Sequence, residues 1–253
     1  MKSNSISRAL PEGQLVNREW LTAHGFSRPR IDYALRAGNL ETVARGIYRK
    51  PGPPLKWEHV LYSLNVMGWN GHVGGRSAFE LQGKAHFLPL SGVKRIEIHG
   101  GGSAPVWLAS IPGAFRFQVR NKTLFKNHPP DVMETKPFGA FDWPIPYSSP
   151  ELALLEMLGD CKGEADFELV EPFFEGAATL RSDRVQTLLE ACTQIKAKRL
   201  FLWFARRHKH AWMDKIDQSK IGLGTGKREL VKGGVFDPEY LITVPRDGLN
   251  KLG

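Results

Sequence analysis

The chain has 253 residues and a mass of 28.4 kDa, enough for one large domain or for a small domain followed by a medium one. Hydrophobic residues make up 42% and charged residues 24%, the proportions of a globular chain. The net charge is +9, and residues 1–52 hold nine Lys/Arg against four Asp/Glu, so more than half of the excess lies in a fifth of the chain. A phosphate backbone is the usual partner of such a patch, and a solvated surface is the alternative that charge alone leaves open. No apolar run approaches the roughly 20 residues that span a bilayer, and Met1–Leu10 has no apolar core of signal-peptide type. Cytoplasmic residence without a membrane partner is the expectation. Cys161 and Cys192 both fall in segments that read as helices and neither sits in a CxxC pair, which suits a reducing compartment with both thiols as core filler.

In chain order, the first elements form a basic module. Asn17 is placed to cap a short helix carrying Trp20 and Leu21 inward. His24-Gly25-Phe26 makes a tight turn, with glycine where φ must be positive. Ser27 then caps a second helix with Pro29 in its first turn. At 100° per residue Ile31, Ala34 and Leu35 share the buried face, whereas Pro29, Tyr33 and Arg36 face outward with Arg28 and Arg30 on the flanks. Ala37-Gly38-Asn39 ends the helix. Leu40–Val43, the turn Ala44-Arg45-Gly46 and Ile47–Lys50 read as a hairpin wing with Arg45 at its tip and Arg49 and Lys50 on the return strand. Helix, turn, basic helix and basic hairpin in this order make a winged helix-turn-helix, whose second helix enters the major groove and whose wing meets the backbone. The DNA-binding residues expected are Ser27, Arg28, Arg30, Tyr33, Arg36, Arg45, Arg49 and Lys50. A winged helix used only for protein contacts is the alternative.

Pro51-Gly52-Pro53-Pro54 stops both helix and strand and sets a domain boundary, giving a DNA-binding domain over 1–52 and a second domain over 55–253. Residues 55–68 read as a helix, and Arg95–His99, Val106–Leu108 and Phe115–Val119 as short β pieces. The proline-rich run 137–150 reads as a second break between a β-rich part, 55–146, and a mainly helical part, 147–253. Ser148, Ser149, Pro150 and Glu151 look like a helix start. Val185, Leu188, Leu189, Cys192 and Ile195 recur as on one amphipathic helix, with Leu200–Phe204 continuing core helix. The fold class is α+β: a winged helix-turn-helix followed by a larger mixed α/β domain.

Several separated segments resemble one family. Leu-Val…Trp-Leu…Gly-Phe-Ser…Gly-Asn-Leu…Arg-Gly-Ile-Tyr in the first fifty residues is similar to the winged helix of AbiEi-type antitoxins from type IV toxin–antitoxin systems. Gly74-Gly-Arg-Ser-Ala-Phe-Glu-Leu-Gln-Gly83, Ser148-Ser-Pro-Glu-Leu-Ala-Leu-Leu-Glu156, Lys198-Arg-Leu-Phe-Leu202, Leu223-Gly-Thr-Gly-Lys-Arg228 and Gly233-Gly…Tyr240-Leu-Ile-Thr-Val-Pro245 resemble its later motifs. Phe79 stands where the motif more often has leucine, a conservative apolar exchange. The resemblance spans roughly residues 10–246. It implies repression of the protein's own operon, through inverted repeats in double-stranded operator DNA near the promoter. It also implies a second domain that counters a nucleotidyltransferase toxin, with direct contact left open. The alternatives are a ligand-responsive winged-helix regulator without a toxin, and an enzyme, most plausibly a nuclease.

No catalytic set, metal site or cofactor is expected. Gly222-Leu-Gly-Thr-Gly-Lys227 falls short of a P-loop, because position 221 is Ile and Arg228 replaces the Mg²⁺-ligating hydroxyl. A Gly-rich basic turn of this kind still has the means to hold a phosphate through backbone N–H groups, and a simple loop is the plainer reading. His208-Lys-His210 lacks a Cys or acid at ligand spacing. Residues 196–210 hold six cations and no acid, which reads either as a second phosphate-binding surface, for DNA or for an RNA substrate of the toxin, or as a solvated helix face. Residues 151–190 hold ten acids against three bases, to meet a basic toxin or to fold back on the basic segment.

Overall fold

The computed structural model describes residues 6–83 and 94–246. By its contacts the chain divides into two compact units, one of Met1–Val73, Phe87–Asn121 and Thr135–Pro146, the other of Gly74–His86, Lys122–Glu134 and Tyr147–Gly253.

In the first unit, α1 (Ile6–Ala9), β1 (Val16–Asn17), α2 (Arg18–Ala23), α3 (Arg28–Arg36), β2 (Glu41–Ala44) and β3 (Ile47–Arg49) form the winged helix-turn-helix. The sequence reading lacks α1 and β1, which are too short to show periodicity. β1 pairs with β3 through Val16↔Tyr48, making the wing a three-stranded sheet in the order β1-β3-β2. Ile6, Leu10, Val16, Leu21, Phe26, Ile31, Ala34, Leu40 and Tyr48 close one core, so helices and wing are packed as a single body.

After this module come α4 (Trp57–Val66), β4 (Gly71–Val73), β5 (Lys94–Gly100), β6 (Phe115–Arg120), β7 (Met133–Phe138) and β8 (Trp143–Ser148). The strands form a five-stranded sheet in the order β6-β5-β4-β8-β7, with β4 antiparallel and β6 parallel to β5. One expectation is corrected. Val106–Ser110 is a 3₁₀ turn, because Pro105 precedes it and its i→i+3 bonds are local rather than cross-strand. The proline-rich run 137–150 contains the whole of β8, and the division between the two compact units falls within it, between Pro146 and Tyr147. Successive residues of a strand direct their N–H groups to opposite neighbours, so Pro144 and Pro146, two apart, withhold their donors from the same side.

The second unit is built on helices: α5 (Gly75–Leu81), α6 (Pro150–Asp160), α7 (Glu164–Glu175), α8 (Ser182–Ala191) and α9 (Ile195–Arg207), followed by the hairpin β9 (Val235–Asp237) and β10 (Ile242–Val244). α6 is buried from Glu151 to Gly159 and α9 from Ala197 to Ala205, which makes them the central pair rather than surface helices. Phe174 stacks on Phe204 with ring centroids 4.9 Å apart, and Phe167 meets Trp203 edge-on at 5.7 Å. Ser149 caps α6 as the sequence suggests, accepting from the Leu152 N–H. The buried Glu156 Oε2 accepts from the Gly75 N–H and the Ser148 hydroxyl, each at 2.8 Å, and so joins α5, α6 and the segment before α6.

The helix expected to run through Val185–Ile195 is interrupted. Residues 192–194 are extended and borrow partners from residues 123–125: Phe125 bridges Cys192, the Thr193 N–H and hydroxyl donate to the Leu124 carbonyl, and Gln194 donates to the Thr123 carbonyl. Cys161 and Cys192 are free, buried, and sit at the ends of α6 and α8 rather than within helices. Burial, reinforced by Asp166, pushes the Cys161 thiol up to about 12.

Residues 196–210 are not a solvated face. Lys196 donates to the Gly159 and Cys161 carbonyls, Arg199 is bonded to four backbone carbonyls, Arg206 pairs with Asp237 and Glu239, and Arg207 donates to Glu171 at 2.8 Å. The acidic block meets this segment at Glu171, whose Oε1 is also 3.2 Å from His208 Nε2. His210 Nε2 lies 2.5 Å from the Phe174 carbonyl oxygen. Burial alone raises the Glu171 carboxyl, but the His208 and Arg207 hydrogen bonds overcome it and hold the group below its ordinary value.

Two outcomes follow from these contacts. Glu156→Ala leaves the Gly75 N–H and Ser148 hydroxyl without their acceptor, and denaturant unfolding should show a loss of about 2–4 kcal/mol. Because the folded Glu171 carboxyl titrates below its unfolded value, its contribution is full above the ordinary glutamate range and is lost as pH falls through the depressed folded value. Melting curves from neutral pH downward should therefore show a shallower acid limb for Glu171→Gln than for the native chain, together with lower stability at neutral pH.

Candidate nucleic-acid interface

The turn between α2 and α3 is set locally. Asn17 caps α2 by accepting the Trp20 N–H at 2.7 Å, and Gly25 takes φ +84°, where a side chain is strained. The Phe26 N–H returns to the Leu21 carbonyl at 3.0 Å. Trp20 is half-buried rather than fully inward, and its ring stacks on His24 with centroids 3.6 Å apart. Ser27 occupies the N-cap position of α3, but its hydroxyl makes no capping bond. The first-turn N–H groups of α3 thus lack the side-chain acceptor that the sequence leads one to expect, and Ser27, Arg28, Pro29 and Arg30 are exposed.

Ile31 and Ala34 are buried and Leu35 is half-buried, which fixes the outward face. Tyr33 is 65% exposed, and Arg36 is exposed one turn further on. Arg30 lies over the Phe26 ring, 5.4 Å from its centroid. Asp32, the acid of α3, is paired at 3.0 Å with Arg18 from α2, whose guanidinium also stands 5.9 Å from the Tyr48 ring centroid. Tyr48 and Asp32 hold the Arg18 guanidinium above its ordinary value.

The wing has the register Glu41↔Arg49, Thr42↔Tyr48 and Ala44↔Ile47, with an irregularity between Thr42 and Ala44. Arg45 and Gly46 form the tip; Gly46 takes φ +76°, and Arg45 is exposed. Lys50 is half-buried just beyond β3. Arg49 differs from the other wing cations. Its Nε donates to Glu41 across the strands at 2.5 Å, and its two terminal nitrogens donate to the Pro53 and Gly52 carbonyls at 2.8 and 3.2 Å. All three faces of that guanidinium are therefore engaged in tying the wing to the proline-rich segment after it. The structure brings Ser27, Arg28, Arg30, Tyr33 and Arg36 onto α3 and its cap, and Arg45, Arg49 and Lys50 onto the wing of the same module. Sequence reasoning missed Arg18, which neutralises the one acid of α3; its signal was the i,i+14 placement of opposite charges, which no local pattern reveals.

Among the described residues no helix is long and apolar enough to cross a membrane. A search of curated proteins finds no match. Among solved structures, the crystal structure of the RV2827C protein from Mycobacterium tuberculosis is similar at 17% identity, with a TM-score of 0.52 over 91% of this chain and 86% of that one, a likeness of fold. Two family models match. Residues 1–90 match the transcriptional regulator, AbiEi antitoxin N-terminal domain, and residues 94–245 match the transcriptional regulator, AbiEi antitoxin, type IV TA system. The chain belongs to the AbiEi antitoxin family of transcriptional regulators of type IV toxin–antitoxin systems.

Proposed function

We propose that this regulator represses its own operon by docking α3 in the major groove of inverted repeats, with the wing on the flanking backbone. The observation that carries this reading is the outward face of α3 and the wing tip, where Arg28, Tyr33, Arg36 and Arg45 stand exposed while the acid between them, Asp32, is neutralised from behind by Arg18. In this reading Arg36 and Tyr33 reach base edges, Arg28, Arg30 and the Ser27 hydroxyl meet phosphates at the helix N-terminus, and Arg45 and Lys50 follow the backbone. Arg49 keeps the wing in place rather than touching DNA. The second part of the proposal is that residues 55–253 counter a nucleotidyltransferase toxin encoded beside this chain, without catalysis of their own.

Gel shifts on the upstream promoter across a salt series test the first part. The double variant Arg36→Ala/Arg45→Ala should weaken binding and lower the slope of log K against log salt by about 1 for each phosphate contact removed. Arg49→Ala should lower thermal stability first, and its residual DNA affinity should keep the native salt slope. Promoter DNA that goes unbound at low salt would sink the repressor half. For the second part, co-expression with the neighbouring toxin should restore growth with the native chain and with Arg36→Ala/Arg45→Ala alike. Failure of both to rescue would overturn the antitoxin assignment.

A further inference from the structure

The Gly-rich turn Gly222–Arg228 is shaped by a buried cation. Arg199, 1% exposed, donates from Nε to the Leu223 carbonyl at 2.8 Å, from one terminal nitrogen to Gly224 at 3.1 Å, and from the other to Gly226 at 2.7 Å and Leu241 at 3.3 Å. A trans peptide carries the C=O of one residue and the N–H of the next on opposite sides of its plane. Three carbonyls turned toward Arg199 therefore turn the N–H groups of Gly224, Thr225 and Lys227 away from it. Among the described residues these N–H groups have no acceptor. Gly224 and Gly226 take φ +64° and +81°, which gives the alternation that gathers N–H groups into an anion-binding concavity.

Charge and exposure complete the arrangement. Gly222 and residues 224–229 are exposed. Lys227 stands over the Phe236 ring at 4.7 Å, and the Arg228 backbone is fixed to β10 and the residue before it by bonds to Leu241 and Thr243. A second observation comes from α9. Lys198 is only 5% exposed, and its Nζ lies within 3.8 Å of where a Cβ on Gly222 would stand. Among the described residues its ammonium has no hydrogen bond or ion pair, and burial lowers its pKa. The stem of Lys198 is thus covered while its ammonium ends beside the turn, where an anion would meet a cation already short of water.

We propose that the turn Gly222–Arg228 binds the terminal phosphate group of a nucleotide or of a nucleic-acid strand, held by the N–H groups of Gly224, Thr225 and Lys227 and by the ammonium groups of Lys198 and Lys227. The turn lacks the hydroxyl that follows the lysine in a P-loop, so binding needs no Mg²⁺. This site lies in the second unit and goes beyond the operator-binding reading.

Calorimetric titration of the full chain tests it, in an Arg36→Ala/Arg45→Ala background so that the proposed operator contacts do not contribute. The probes are pyrophosphate, a nucleoside triphosphate and a short 5′-phosphorylated single-stranded oligonucleotide, each with EDTA at constant ionic strength. Saturable binding is expected, weakened roughly tenfold or more by Lys198→Met and by Lys227→Ala. Lys198→Met should do so without lowering the melting temperature, an outcome that a purely structural lysine would not give. Tightest binding of the triphosphate identifies a nucleotide as the source, and tightest binding of the oligonucleotide identifies a strand end. The proposal is overturned if no probe saturates, or if Lys227→Ala and every folded Lys198 variant bind as the parent does.

Discussion

A guanidinium can be buried only where its donors are met, because an unpaired charge in a dry interior costs more than a small domain has to spare. Arg199 sits in the middle of α9 at 1% exposure and is met by carbonyls alone, drawn from residues 223–226 and from Leu241. The consequence is long-range: the chain after α9 must lie against that helix for the fold to close. Three motifs that look separate in the sequence, Lys198–Leu202, Leu223–Arg228 and Tyr240–Pro245, are thus parts of one arrangement. Glu156 does the same for an earlier pair, joining the glycine start of α5 to the serine start of α6.

This explains which parts of the molecule were legible in the sequence. The winged helix-turn-helix was readable almost to the residue because its signals are local: a cap at Asn17, glycines at φ positions closed to side chains, and a three-residue periodicity on α3. α5 and β8 were not, since α5 starts at a glycine held by a carboxylate 81 residues away and β8 carries prolines that only its neighbouring strands excuse. The apparent helix through Val185–Ile195 failed for a related reason. Its apolar positions do face the core, but residues 123–125 offer an extended partner at Cys192–Gln194, and the backbone takes it.

Charge was the least legible property of all. Residues 196–210 hold six cations and no acid, and on composition alone that is a nucleic-acid footprint. In the folded chain most of that charge is turned inward, onto carbonyls or onto Glu171, Asp237 and Glu239. The same distinction separates Arg45 from Arg49 within one hairpin. Both are wing arginines in the sequence; one is exposed at the tip, and the other is engaged at Nε and both terminal nitrogens.

Pairing of this kind does not change the net charge of the module, but it changes where the charge is felt. Of the four acids in residues 1–52, Asp32 is paired with Arg18 and Glu41 with Arg49, so both of these arginines are withdrawn together with the acids they balance. What remains on α3 and the wing is Arg28, Arg30, Arg36, Arg45 and Lys50, with Glu12 and Glu19 on other segments of the module. At physiological ionic strength the screening length is about 8 Å, so a phosphate responds to the charges next to it and hardly to the total. The two ion pairs therefore serve the proposed interface without joining it. By cancelling acid beside the outward helix and at the base of the wing, they turn a modest excess over the whole module into an undiluted one where the groove and backbone would lie.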